Sequence, residues 1–274
     1  MKIEAGGVSY EVTISGEGPA LVLLHGFTGS SSNWRYAAPF LPSGYKHIAI
    51  DMIGHGRSSS PGNPGWYRME RAAEAVNMIL DSLDIQRACI LGYSMGGRLA
   101  LCFSILYPER VQALILESAS PGLKTEAERA ARRIADAELA EGILKDGIVS
   151  FAERWGAIPL FQSQTEKLTA GQKDFLKEQR LLNDPVGLAG SLKGMGTGSQ
   201  PSYWDRLGDL KVPVLLLSGS LDRKFCAIAG KMDQLMPDSI WAIIEDAGHA
   251  IHLEQPEVYG RKITDFLQRM NERG

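Results

Sequence analysis

The chain has 274 residues, with 29 Lys and Arg against 32 Asp and Glu, a net charge of −3. Apolar residues make up 44% and charged residues 22%, which excludes global disorder, and the charge balance excludes a nucleic-acid-binding domain held by a broad basic face. Three cysteines do not make a disulfide framework, Met1 to Ile14 lacks the apolar core of a secretory signal, and no run approaches the ~18 apolar residues of a membrane span, so the cytoplasm is the expected compartment.

In chain order, Val8 to Ile14 reads as a strand, followed by the apolar run Ala20 to Leu24 closed by His25-Gly26. His47 to Ile50 is a further short run, closed by Asp51. Trp66 to Leu83 has helical apolar spacing, Ala88 to Gly92 is again strand-like, Met95 to Tyr107 is helical, and Val111 to Glu117 is the next strand. Short strands apolar on both faces, alternating with helices, predict a mostly parallel sheet covered on both sides. From Ser118 the character changes. Thr125 to Leu144 is rich in Ala, Glu and Arg. Asp146 to Leu182 continues with helical patterns broken at Pro159 and Gly171, and 188–198 is Gly-rich. The α/β rhythm resumes with strands at Val214 to Gly219 and Ile240 to Ile244 and a closing helix at Pro256 to Asn271. One domain over 1–274 is therefore expected, with a core of 1–120 and 207–274 and a helical insertion at about 121–206. Cys89 and Cys102 lie in apolar runs and read as core residues.

Gly92-Tyr93-Ser94-Met95-Gly96 sits between a strand and a helix, the context of a G-x-S-x-G nucleophile elbow. The tight turn leaves no room for side chains at the flanking positions and lifts the Ser94 hydroxyl above the sheet edge, beside a helix N-terminus. A serine hydroxyl needs a base. Of the five histidines, His249 follows the last strand and so meets the carboxyl edge of the sheet, where the elbow also lies. His252 is the weaker choice, and a metal pair of the two has no further ligands at suitable spacing. The acid should fall between serine and histidine in chain order. Asp222, after the Val214 strand, fits, and Glu117 is its competitor. Asp205 and Asp209 precede a strand and belong to the opposite edge. Two convergent N–H groups are expected to stabilise developing negative charge: Met95, next to the serine, and Phe27, in the loop after the Ala20 strand. His55 and Arg57 read as structural. No phosphate-cradling glycine pattern, metal-ligand set or other sign of a cofactor is present.

The motifs His25-Gly-x-x-Gly-Ser, Asp51-x-x-Gly-His-Gly-x-Ser, Gly92-Tyr-Ser-Met-Gly-Gly, Gly219-x-x-Asp and Gly248-His together resemble the α/β-hydrolase superfamily over essentially the whole length, with the insertion matching its lid or cap. Gly96-Gly-Arg98, Pro121-Gly-Leu, Glu128-Arg-Ala-Ala-Arg132, Trp155, Arg180, Met195-Gly-Thr-Gly198 and Asp222-Arg-Lys-Phe225 look like the family of 2-succinyl-6-hydroxy-2,4-cyclohexadiene-1-carboxylate synthases of menaquinone biosynthesis. The resemblance implies elimination of pyruvate from 2-succinyl-5-enolpyruvyl-6-hydroxy-3-cyclohexene-1-carboxylate, with Ser94 as base, no acyl-enzyme, and Tyr93, Arg98, Arg132, Trp155 and Arg180 binding substrate.

Residue chemistry bears on this separately. A polycarboxylate substrate needs guanidinium forks. Arg98 lies one helical turn after Ser94, so either a buried anion contact or a helix-flank ion pair is expected there. Arg129, Arg132 and Arg133 lie in a Glu/Ala/Arg helix where i,i+4 pairs are the ordinary explanation, and Arg180 neighbours Lys177 and Glu178. Residues 121–206 hold twelve Lys and Arg and twelve Asp and Glu. Any anion selectivity must therefore come from a few placed arginines, with the compensating acids expected to face solvent. A serine hydrolase, either a carboxylesterase or a C–C bond hydrolase, would use the same three residues. A non-catalytic binding protein on this scaffold could dispense with them. The oligomeric state is not readable.

Overall fold

A computed structural model describes residues 1–272. Its eight strands are β1 (Lys2–Ala5), β2 (Val8–Ser15), β3 (Ala20–Leu24), β4 (Lys46–Ile50), β5 (Ala88–Tyr93), β6 (Val111–Glu117), β7 (Val214–Gly219) and β8 (Ser239–Ile244). They form one sheet in the order β1-β2-β4-β3-β5-β6-β7-β8. The β1–β2 and β2–β4 pairs are antiparallel, and every pairing from β4 through β8 is parallel. This is the mostly parallel sheet expected from the alternating pattern, and it agrees with the architecture that the resemblance to α/β-hydrolases implies. The short strand β1 carries only Ile3 and Ala5 as buried residues, too few to mark it by periodicity.

Alternate residues along the central strands build two cores, because successive side chains point to opposite faces. Val22, Leu24, Ile90, Leu114 and Leu216 pack with helices α1 (Met69–Ser82), α2 (Met95–Leu106) and α7 (Arg223–Asp233) on one face. Leu21, Leu23, Leu91, Ile115 and Leu217 pack with α8 (Ile251–Glu254), α9 (Pro256–Asn271) and the Ser31–Tyr36 turn on the other. In α9 the buried Tyr259, Ile263, Phe266 and Leu267 fall at i, i+4, i+7 and i+8, one stripe of a helix.

Between β6 and β7 lie α3 (Glu126–Gly156), α4 (Gln162–Lys167), α5 (Ala170–Leu181) and α6 (Pro185–Met195). Within α3, Gly147, at φ 78° and ψ 170°, leaves the helical backbone and separates a helix over 126–146 from one over 148–156, close to the division between the Thr125 to Leu144 stretch and the one from Asp146. Elsewhere the helix boundaries differ from the sequence reading in two places. Gly171 breaks nothing, because Thr169 caps α5 reciprocally with Gln172 and places Gly171 in the first turn. The Gly-rich segment is helical up to Met195, since Asp184 caps it and Pro185 starts it. Its glycines serve close packing: a Cβ on Gly187 would stand 2.4 Å from the Gly54 carbonyl oxygen, and one on Gly190 2.4 Å from the Tyr67 ring. A small core of Ala140, Ile143, Phe151, Leu188, Ala189 and Leu192 holds α3 to α6, with Phe27 of the main body packed against it. Among the described residues no helix is long and apolar enough to cross a membrane.

Candidate active site

The parallel register brings the carboxyl ends of β3, β5, β6, β7 and β8 to one edge, and each exit carries a polar residue. Ser94 occupies the turn from β5 to α2 with φ 52° and ψ −107°, a region that side chains other than glycine rarely adopt. The turn closes only because its neighbours lack side chains. A Cβ on Gly96 would lie 2.0 Å from the Leu24 carbonyl oxygen, and one on Gly92 2.3 Å from that of Gly96. The Ser94 N–H donates to the Glu117 carbonyl at 2.9 Å, tying the elbow to the end of β6.

Three side chains form a continuous hydrogen-bonded relay. His249 Nε2 stands 3.0 Å from Ser94 Oγ, and His249 Nδ1 stands 2.7 Å from Asp222 Oδ2. Asp222 caps α7, its Oδ1 accepting from the Phe225 N–H at 3.2 Å. With one oxygen held by the backbone and the other on the imidazole, the carboxylate selects the Nδ1–H tautomer and leaves the Nε2 lone pair for the serine hydroxyl. His249 is 1% exposed.

Glu117 belongs to a second, separate pair. Its Oε1 accepts from His252 Nδ1 at 2.9 Å and from the His252 backbone N–H at 3.1 Å, and both side chains are fully buried. The Tyr93 ring lies between the two histidines, with centroids 5.4 Å from His249 and 4.6 Å from His252.

A cavity of about 210 Å³ opens on Ser94 and His249 and is also lined by Phe27, Met95, Arg98, Arg132 and Trp155. Among the described residues the Phe27 and Met95 N–H groups have no hydrogen-bond partner, so both remain able to donate to a bound group. Arg98 donates to the Met195 carbonyl at 2.7 Å and to Gln200 Oε1 at 2.6 Å. Both acceptors are neutral. Burial, with nearby Arg132 adding to it and Asp136 opposing, lowers the Arg98 pKa to about 10, which still leaves it charged at neutral pH. Arg132 donates its Nε to Asp136 at 2.7 Å. Asp136 is 3% exposed, so this compensating acid is buried and does not face solvent as the sequence suggested. A short i,i+4 pair next to packed α6 draws the carboxylate inward. Arg129 and Arg133 instead share the exposed Glu126. Trp155 stacks on Phe151 and meets Phe27 edge-on, and its buried Nε1–H has no partner among the described residues.

Two of the expected substrate residues stand apart from this cavity. Tyr93 and Arg180 line a small adjoining space with Thr28 and Gln179. The Arg180 guanidinium lies over the Phe161 ring, and burial lowers its pKa. Conversely, Lys224 and Ser118 line the main cavity although the sequence reading gave them no role. Lys224 could have been found from its place two residues after Asp222, in the first turn of α7. No pattern marks Ser118, a lone serine after a strand.

The chain matches the α/β-hydrolase fold family over residues 19–256. It is 45% identical, over 95% of both chains, to a protein of Bacillus subtilis (strain 168) provisionally named 2-succinyl-6-hydroxy-2,4-cyclohexadiene-1-carboxylate synthase. It is 30% identical to the synthase of that name from Serratia proteamaculans (strain 568), covering 91% of this chain and 93% of that one. The solved structure of MenH from S. aureus superposes with a TM-score of 0.90 at 36% identity, covering 95% of this chain and 98% of that one.

Proposed function

The chain belongs to the α/β-hydrolase family and, within it, to the 2-succinyl-6-hydroxy-2,4-cyclohexadiene-1-carboxylate synthases, and from that membership we propose an elimination in which Ser94 is the base. The substrate is 2-succinyl-5-enolpyruvyl-6-hydroxy-3-cyclohexene-1-carboxylate. Ser94 Oγ removes the proton α to the succinyl ketone while its own proton passes to His249 Nε2, and Asp222 holds the resulting imidazolium. The electron pair moves through the ring and breaks the C–O bond to enolpyruvate. The leaving enolate takes up a proton at carbon, supplied through His249, to become pyruvate. The Phe27 and Met95 N–H groups stabilise negative charge on a substrate oxygen.

One observation carries this reading: the Arg98 guanidinium, on the first turn after Ser94, is satisfied by neutral oxygens alone. Among the described residues no carboxylate is hydrogen-bonded to it, so it can pair with one on a substrate, which a pocket for apolar esters has no use for. Arg132 and the unpartnered Trp155 Nε1–H add donors on the same cavity, and Arg180 contributes positive charge from behind Phe161. The inserted helices α3 to α6 act as the lid that excludes water. The test is pyruvate release from the enolpyruvyl substrate, with p-nitrophenyl acetate hydrolysis run in parallel. Wild type should release pyruvate, and Ser94→Ala should lose at least about a hundredfold in rate while remaining folded. Strong esterase turnover without pyruvate, or a trapped acyl-Ser94 formed from the native substrate, would overturn the proposal in favour of a serine hydrolase.

A further inference from the structure

Ser118 is unfavourable for stability on two separate counts, and it stands beside the catalytic serine. It follows β6 with φ 47°, the left-handed region in which a Cβ is strained and glycine is not. Its side chain is 2% exposed, and its Oγ is buried with no hydrogen-bond partner among the described residues. A buried hydroxyl without a partner is rare in folded proteins, because it has given up water and gained nothing in return. Glycine at this position would remove both defects.

The location gives the defects a meaning. Ser118 lines the same cavity as Ser94, Arg98 and His249. Its position against the relay is rigid: its own N–H donates to the Leu217 carbonyl at 2.9 Å, and the carbonyl of the preceding Glu117 accepts from the Ser94 N–H at 2.9 Å. The backbone of Ser118 is thus held by hydrogen bonds on both sides at the edge of the cavity, so the Cα–Cβ torsion is the freedom left to its hydroxyl. A hydroxyl on a rigid strand end can donate to a substrate oxygen without ordering any new chain, the arrangement that makes a positioning contact effective.

We propose that Ser118 is a substrate-binding residue whose hydroxyl donates to an oxygen of the anionic substrate, next to the carboxylate-binding Arg98. The assignment rests on the polycarboxylate reading of the site. It explains why a strained, buried serine stands where glycine would be more stable, since bound substrate supplies the missing partner.

The test compares Ser118→Gly with Ser118→Ala. Both remove the hydroxyl, but only glycine relieves the backbone. Pyruvate release by wild type checks the underlying reading first and does not involve Ser118. With that release observed, both variants should show KM raised about tenfold or more, the loss expected when a hydrogen bond to a charged group is removed, and kcat changed by less than about threefold. Ser118→Gly should melt no lower than wild type. If KM stays at the wild-type value in Ser118→Gly, or if the kinetic loss follows the melting temperature so that only Ser118→Ala is impaired, the residue is structural and the assignment is overturned. If wild type releases no pyruvate, the polycarboxylate reading and the Ser118 assignment fall together.

Discussion

Arg98 and Gln200 are joined by a 2.6 Å hydrogen bond in which a half-buried guanidinium donates to an amide oxygen. The pairing orients the arginine without cancelling its charge. A carboxylate in the same place would satisfy the geometry equally well and leave no net charge for a substrate.

That contrast can be measured. Gln200→Glu places a carboxylate against Arg98. It should lower kcat/KM for pyruvate release at least about tenfold while leaving the melting temperature unchanged or higher. Arg98→Ala should lower kcat/KM by about a hundredfold, mainly through KM, because the contact it removes is made to a charged group. Wild-type kinetics in Gln200→Glu would show that the substrate does not use the free charge of Arg98.

Lys224 tests the rim of the cavity. It is exposed, lies 5.4 Å from the Phe225 ring centroid, and has no carboxylate partner among the described residues. A solvent-screened ammonium contributes little to affinity. Lys224→Ala should therefore raise KM only about two- to fivefold, leave kcat unchanged, and flatten the salt dependence of kcat/KM. A steady-state series from low to high ionic strength reads all three.

Acid should destabilise the fold through His25 and His55. His25 accepts from the Met52 N–H at Nε2 and lies 2.7 Å from the Gly26 carbonyl through Nδ1. This pattern requires the neutral ring, and burial lowers its pKa. Burial, reinforced by nearby His25, takes His55 from its ordinary 6.5 to about 3. Between those values the unfolded chain binds a proton at His55 that the folded chain refuses. Stability is therefore fully present above pH 6.5 and falls as pH drops toward about 3, by up to about 1.4 kcal/mol per pH unit for that group. Urea unfolding across the range should show this slope, and His55→Gln should flatten it.

The elbow glycines allow a paired comparison. Gly96→Ala drives a methyl to within 2.0 Å of the Leu24 backbone oxygen, where nothing flexible can yield. It should cost about 1–3 kcal/mol of stability and most of the activity. Gly142→Ala, in the interior of α3 with nothing within 4 Å of the added atom, should stabilise by about 0.5–1 kcal/mol. Equal effects from the two would show that helix propensity, and not close packing, sets the requirement at Gly96.

What could be read directly from the chain was local. Two-sided apolar strands such as Ala20–Leu24 and Val214–Gly219 announce a parallel sheet because their period and burial are properties of a few adjacent residues. Ser94, Asp222 and His249 stand out in the sequence because each follows a strand, and parallel strands bring their exits to one edge. Helix boundaries were less legible where a cap outweighs composition, as at Thr169, whose reciprocal cap with Gln172 takes Gly171 into the first turn of α5.

Fold class and the set of residues at the sheet edge thus follow from the order of residues along the chain. Their partners follow from how the elements pack. That packing put Glu117 on His252 and Asp222 on His249, buried Asp136 against Arg132, gave Arg98 neutral acceptors from α6 and the loop after it, set Arg180 behind Phe161, and left the Ser118 hydroxyl unpaired. The physical reason is the same in each case. Periodicity reports which face a side chain takes, but a hydrogen-bond partner drawn from another element depends on how helices and strands pack and on the rotamer left open, and adjacent residues do not encode that.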